Sequence, residues 1–390
     1  MPLLFRKPIV ASALLAAALI LRSSAPAGAD FPPYAKVVSI VVVAPLSGDE
    51  KQFGIDLSNG VQEAVDETNQ ARGIADYGWV MHSFDDQSDP GIAQQQAQFA
   101  LVDPSTAFII GHVGGQETAL ALPVYHQAEV PVIIPTSPYA ALTQTGYDDV
   151  FRLCPTDVAE GRDDARYADR TLGAKRIAVI YEQNDYGADA GQGFVNYTSA
   201  RNINEKDFPI DIEFKNMKTQ VAAVKDWAPD LIFLSGAGAD MSRLVPALHT
   251  AGVTVPLMAT QGFYSDSLLK ALGDNAEGIT VSSCVPPIQF MPTANSFVSL
   301  YQSHFGHLSA YGLFGYVAAQ IAIQSTKFAK STDHRMVDRA LATGTFDTVL
   351  GQFQFQPSGD TLGADVYFYQ YKKGAFDYLS AAYPNPLIVH

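Results

Sequence analysis

Residues 37–44, VVSIVVVA, are apolar at nearly every position and mostly β-branched, which predicts a central strand of a parallel sheet, buried on both faces. Polar residues 45–53 read as a loop. Beyond it Leu57, Val61, Ala64, Val65 and Thr68 recur at helical spacing until Arg72-Gly73 ends the run. A strand at 79–84 follows, then a helix at 92–101 and a second β-branched run that ends at Ile110. A glycine turn leads into a helix opening at Gln116-Glu117-Thr118, and a short strand sits at 132–134. The same rhythm returns as strands at 176–181, 210–214 and 231–234 and helices at 187–200, 219–227 and 241–250. Residues 296–330 are helical, with Phe297, Leu300 and Tyr301, then Val317, Ala318 and Ile321, on apolar stripes. Aromatic-rich strands at 352–355 and 366–371 close the chain. Strand and helix alternate throughout, which predicts the α/β class with parallel sheets. A length of 390 residues with 47% hydrophobic content predicts two domains.

Loops that follow the strands of a parallel sheet gather at one end, where ligands bind. One such loop carries Gly111, Gly114 and Gly115 and runs into the helix at Gln116. Its glycines let backbone approach a ligand, and free N–H groups at the helix start favour an anion. The other, Pro135-Thr136-Ser137-Pro138-Tyr139, follows the next strand. Together they read as one wall of a binding cleft.

Charge and short motifs narrow the chemistry. The formal net charge is -15 with basic residues spread thinly, so nucleic acid is not an expected partner. Arg6 and Lys7, an apolar stretch at 9–21 and the small residues Ala27-Gly28-Ala29 predict a cleaved leader over 1–29, hence export. No cysteine follows that stretch to take a lipid anchor, and no later segment is long and apolar enough to span a bilayer. Cys154 and Cys284 are the two thiols, and spacing alone leaves open whether they pair. The carboxylates at 85–90 lack the glycine and distal glutamate of a calcium hand, and helix capping is the better account. Gly236 and Gly238 are a fragment of a dinucleotide fingerprint without its third glycine. His304 and His307 have no third ligand nearby in sequence. No metal or cofactor is therefore expected. The chain has neither a G-x-S-x-G elbow nor an H-E-x-x-H motif, and Glu117 with His112 or His126 is better explained by capping and packing, so no enzymatic activity is expected.

Several spaced motifs together point to a family: Ile110-Gly111-His112, VPVIIPTSP at 130–138, LTQTGY at 142–147, Phe151-Arg152, DDQSDP at 85–90 and NDYG at 184–187. With these the chain resembles the leucine/isoleucine/valine-binding proteins of bacterial ABC importers. The resemblance implies two α/β lobes, each a parallel sheet flanked by helices, joined by three crossover strands. An N-terminal lobe of 30–153 plus 285–364 and a C-terminal lobe of 154–284 plus 365–390 would close on a small-molecule ligand. The crossovers would lie near 152–157, 281–285 and 363–367, which puts Cys154 and Cys284 on two of them as a candidate disulfide. It also implies a monomer in the periplasm that docks on permease subunits in the inner membrane; a soluble sensor subunit is the alternative.

The family's amino-acid site carries over with three departures. Where relatives place a serine for the ligand's α-carboxylate this chain has Gly115, where they place a threonine it has Pro138, and where they place the glutamate for the ammonium it has Gln261. An ammonium buried without a counter-charge costs several kcal/mol. The expected ligand is therefore aromatic or largely apolar and not an amino acid, with a branched-chain or other amino acid as the alternative. Its candidate contacts are Phe53, Gly115, Gln116, Ser137, Tyr139, Tyr186, Gln261, Phe263 and Tyr264. Phe53 matches a tryptophan of some relatives and Tyr186 a second-lobe tyrosine. A ligand carboxylate would sit on the N–H groups near Gln116, with Arg152 or Arg243 as candidate cations.

Overall fold

The computed structural model describes residues 36–71, 77–363 and 365–383; the expected leader and the helix end at Arg72-Gly73 lie outside them. The first lobe opens with β1 (Lys36–Ala44), α1 (Lys51–Gln70), β2 (Tyr77–Asp85), α2 (Pro90–Ala100), β3 (Thr106–Gly111), α3 (Gly115–Gln127), β4 (Val132–Ile134) and β5 (Val150–Arg152). The second contains α4 (Asp157–Arg170), β6 (Arg176–Glu182), α5 (Asp185–Ser199), β7 (Asn204–Ile210), α6 (Met217–Trp227), β8 (Leu231–Ser235), α7 (Gly238–Met241), α8 (Leu244–Thr250), β9 (Leu257–Ala259), α9 (Asp266–Leu272) and β10 (Thr280–Ser283). The chain then returns to the first lobe for α10 (Asn295–Phe305), α11 (Ala310–Ala329), α12 (His334–Thr343) and the hairpin β11 (Phe346–Thr348) and β12 (Gly351–Phe353). It ends in the second lobe with β13 (Tyr367–Lys372) and β14 (Ala375–Ala381).

The first sheet has the order β2-β1-β3-β4-β5 and is parallel throughout. β1 explains its own composition. Val38, Ile40 and Val42 point into a core shared with α1 and α11, while Val41 and Val43 point into a second core with α2 and α3. Both faces are covered, so the apolar run has no polar alternation. Helices α1 and α11 approach so closely that a Cβ on Gly60 would lie 2.0 Å from the Gly312 carbonyl oxygen, which leaves glycine as the residue that fits.

The second sheet runs β14-β13-β10-β9-β8-β6-β7. Its parallel part is likewise buried on both sides, with Ala178, Ile180, Ile232 and Leu234 in one core and Ile177, Val179, Leu231 and Phe233 in the other. β13 and β14 join antiparallel, a departure from the all-parallel reading. The strand expected at 210–214 is β7, displaced toward the N-terminus. As the edge strand it pairs with β6 alone and carries polar side chains outward, so it lacks the apolar signal of its neighbours. Residues beyond it turn instead, with the Asp211 carboxylate accepting N–H groups of Glu213, Lys215 and Asn216.

At 85–90 the carboxylates serve the local fold. Asp85 accepts the Leu46 N–H, Asp86 pairs with buried His112 at 2.7 Å, and Asp89 caps α2 through the Ile92 N–H. His304 bonds Glu63 at 2.8 Å, whereas His307 lies beyond the end of α10, so they do not converge.

Candidate functional site

The ends of β3 and β4 place the two loops singled out above side by side. Gly114 precedes α3, and Gly115 lies against the second loop: a Cβ there would be 2.9 Å from Tyr139 Cβ and 3.3 Å from Ser137 Oγ. A side chain at Gly115 would thus crowd Tyr139, whose ring Cδ1 would also lie 3.2 Å from the added Cβ. Ser137 is buried and Tyr139 half-buried. Helix α1 begins at Lys51, earlier than the sequence pattern suggests, which puts Phe53 in its first turn with its ring stacked on Tyr311 at 4.5 Å. Tyr311 opens α11 and was not singled out from sequence.

Across the cleft, Asn184 caps α5 through the Gly187 N–H and so presents Asp185 and Tyr186 in the first turn. Gln116 Nε2 donates to Asp185 Oδ2 at 3.2 Å, a direct tie between the lobes. The half-buried Tyr186 donates its hydroxyl to Glu160 at 3.4 Å and accepts the Gly262 N–H at 3.2 Å, which fixes the ring orientation. Gln261 sits on the adjoining turn with its N–H on Glu160 Oε1 at 2.7 Å.

Two expectations are corrected. Phe263 is fully buried in the second-lobe core, because its turn points the ring inward between α7 and the sheet, and it does not line the cleft. Of the two candidate cations, Arg152 is not available. Arg152 is fully buried; its guanidinium bonds Asp360, Thr143 and the Tyr139 carbonyl and so anchors the second loop. Arg243 lies over the Phe214 ring at 4.6 Å. Tyr264 packs on Tyr369 and Phe376 at 4.7 and 4.5 Å, against β13 and β14.

The base of the cleft holds what the sequence reading missed. Asp157, Glu160 and Asp164 lie at three- and four-residue spacing on the buried face of α4. Ser282 of β10 donates to Glu160 at 2.9 Å and to Asp164 at 3.2 Å. Burial pushes Glu160 up to about 7 despite the hydrogen bonds it accepts from Gln261, Ser282 and Tyr186, and it raises Asp164 well above the usual range. Asp157 has an enclosed Oδ1 without a partner; burial, then the charges of Glu160, Cys154 and Asp189, push it up to about 9. Acids at helical spacing on a face that must be buried were the available signal. Cys154 and Cys284 are thiols in contact, and the hydrogen bond that the Cys284 thiol donates to Cys154, followed by burial, pushes Cys284 up.

Two α/β lobes with a cleft across their joint define a type I periplasmic solute-binding protein. Residues 37–375 match the periplasmic binding protein family, and the chain belongs to it. The Leu/Ile/Val-binding protein of Citrobacter freundii is 25% identical over 346 residues, covering 88% of this chain and 92% of that protein. A leucine binding protein from Thermotoga maritima superimposes with a TM-score of 0.77 at 23% identity, covering 88% and 98% of the two chains. A solute binding protein of an ABC transporter from R. palustris, solved in complex with benzoate, gives 0.73 at 18% identity, covering 90% and 99%. The chain is accordingly a binding protein of ABC-transporter type.

Proposed function

We propose that this protein, exported by a leader cleaved before Asp30, captures a small aromatic or largely apolar molecule other than an α-amino acid and delivers it as a monomer to permease subunits in the inner membrane. The observation that supports the reading is the close packing of Gly115 against Tyr139, which crowds the side chain a serine would need there to hold an α-carboxylate. Pro138 and Gln261 remove the neighbouring hydroxyl and counter-charge. Phe53 with Tyr311, Tyr139 and the anchored Tyr186 provide flat walls, and Gln116, Ser137 and the first N–H groups of α3 provide hydrogen bonds. Ligand would touch both lobes only in the closed state, and that differential affinity drives closure.

One observation favours a second reading. Asp157 is buried with an unpartnered oxygen, and an ammonium brought against it would favour its ionised form, supplying a counter-charge that Gln261 does not. Thermal unfolding against a panel of aromatic acids, aliphatic acids, amines and branched amino acids separates the two, since a ligand of the folded state raises the midpoint. Shifts with aromatic compounds and none with leucine or valine are expected. A shift with leucine alone would refute the first reading and support the second.

A further inference from the structure

We propose that the end of the first lobe opposite the cleft carries a site for one divalent transition-metal ion, built from His126, Asp148, Asp149 and Asp338. The last turn of α3 supplies His126, the residues just before β5 supply Asp148 and Asp149, and α12 supplies Asp338. In a parallel sheet these positions lie at the amino ends of the strands, whereas the cleft lies at the carboxyl ends. The two sites are therefore independent.

The geometry brings three candidate ligands together, two of them joined by a hydrogen bond that an ion would replace. One donor atom from each of His126, Asp148 and Asp149 lies within 4.8 Å of the others. His126 Nδ1 is 2.9 Å from Asp149 Oδ2, close to the separation of about 3 Å between adjacent donors on an ion with bonds of about 2.1 Å. Asp149 is 3% exposed, yet its other oxygen has no hydrogen-bond partner. On α12 the Asp338 Oδ1 is also enclosed without a partner, and Asp149 is the strongest of the charges acting on that side chain. Tyr147 stacks on the imidazole at 3.9 Å and holds its plane. Arg335 on the same helix is engaged by Glu129, so it does not offset the carboxylates.

Two enclosed carboxylate oxygens without a hydrogen-bond donor, the charge of Asp149 acting on Asp338, call for a shared cation. An imidazole beside carboxylates, with no thiolate, selects the zinc and manganese class over the all-oxygen shells of calcium and magnesium. Bound there, the ion would staple α12 to α3 and to the edge of the sheet at β5. These residues are more than two hundred positions apart at the extremes, so no local spacing announces the site.

The test is calorimetric titration of the purified, chelator-stripped protein with ZnCl2, MnCl2 and CaCl2, together with thermal unfolding in each. One saturable zinc or manganese ion per chain is expected, with a raised unfolding midpoint and weaker calcium binding. His126→Gln and Asp338→Asn should each weaken the affinity at least tenfold and abolish most of the midpoint shift. The His126 side chain is 40% exposed, so its variant should fold even where Asp149→Asn does not. Absence of saturable binding, affinity unchanged in both variants, or calcium binding tighter than zinc would each overturn the proposal.

Discussion

Replacing Asp157 by Asn should stabilise the protein at neutral pH, because the native state holds this carboxyl in a place hostile to its charge. The group is 2% exposed, and its pKa rises from 3.8 to about 9. The folded chain therefore binds the proton more tightly than the unfolded one, and stability falls as pH rises from about 4, levelling off above about 9. At pH 7 the difference spans roughly three units, or about 4 kcal/mol at ~1.4 kcal/mol per unit, as an upper limit. One term opposes the gain: the enclosed amide of the variant would lack partners, which costs about 1–3 kcal/mol. A net gain of about 1–3 kcal/mol at pH 7 is expected, shrinking toward pH 4, where both states of the native protein are protonated. Urea unfolding of wild type and Asp157→Asn at pH 4.5, 7 and 8.5 measures it. A variant less stable at pH 7 by the same amount at every pH would mean that Asp157 is ionised and held by a partner, and the reasoning about the cleft base would fail.

Gly115→Ser should destabilise by about 1–3 kcal/mol, since its Cβ meets Tyr139 Cβ at 2.9 Å and the ring Cδ1 at 3.2 Å, and adding Tyr139→Gly should recover part of the loss; a tolerated single variant would show that the Tyr139 side chain does not fill that position. Cys154 and Cys284 should be oxidised together by glutathione disulfide, losing two protons and two electrons while the oxidant becomes two glutathione molecules. Alkylation of the unfolded chain followed by mass measurement checks this, and two free thiols after equilibration in an oxidising glutathione buffer would refute a bonding pair.

The alternation of strands and helices was legible because buried parallel strands and one-sided helices write their burial into local periodicity. β1, β3, β6 and β8 carry that signal through their central positions. β7 did not, because an edge strand needs no apolar face on its open side. The glycine loop and the Tyr139 loop were picked out from their places after strands, and Tyr186 from its match to a second-lobe tyrosine of the family that the chain resembles. Phe263 was misplaced by the same logic, since a residue in a turn can point to either side and only the packing of α7 and β9 decides which.

What the sequence by itself determined is the class of fold, the order of its elements and the two loops that open toward the cleft, all consequences of local pattern. Only the tertiary structure decided that Arg152 is consumed by Asp360, that Tyr139 occupies the space above Gly115, that three acids converge beneath Gln261 and that the two thiols touch. Each of these joins residues that are distant in sequence or that face one another across a loop, and the free energy of such contacts depends on separation in space, which no local period encodes.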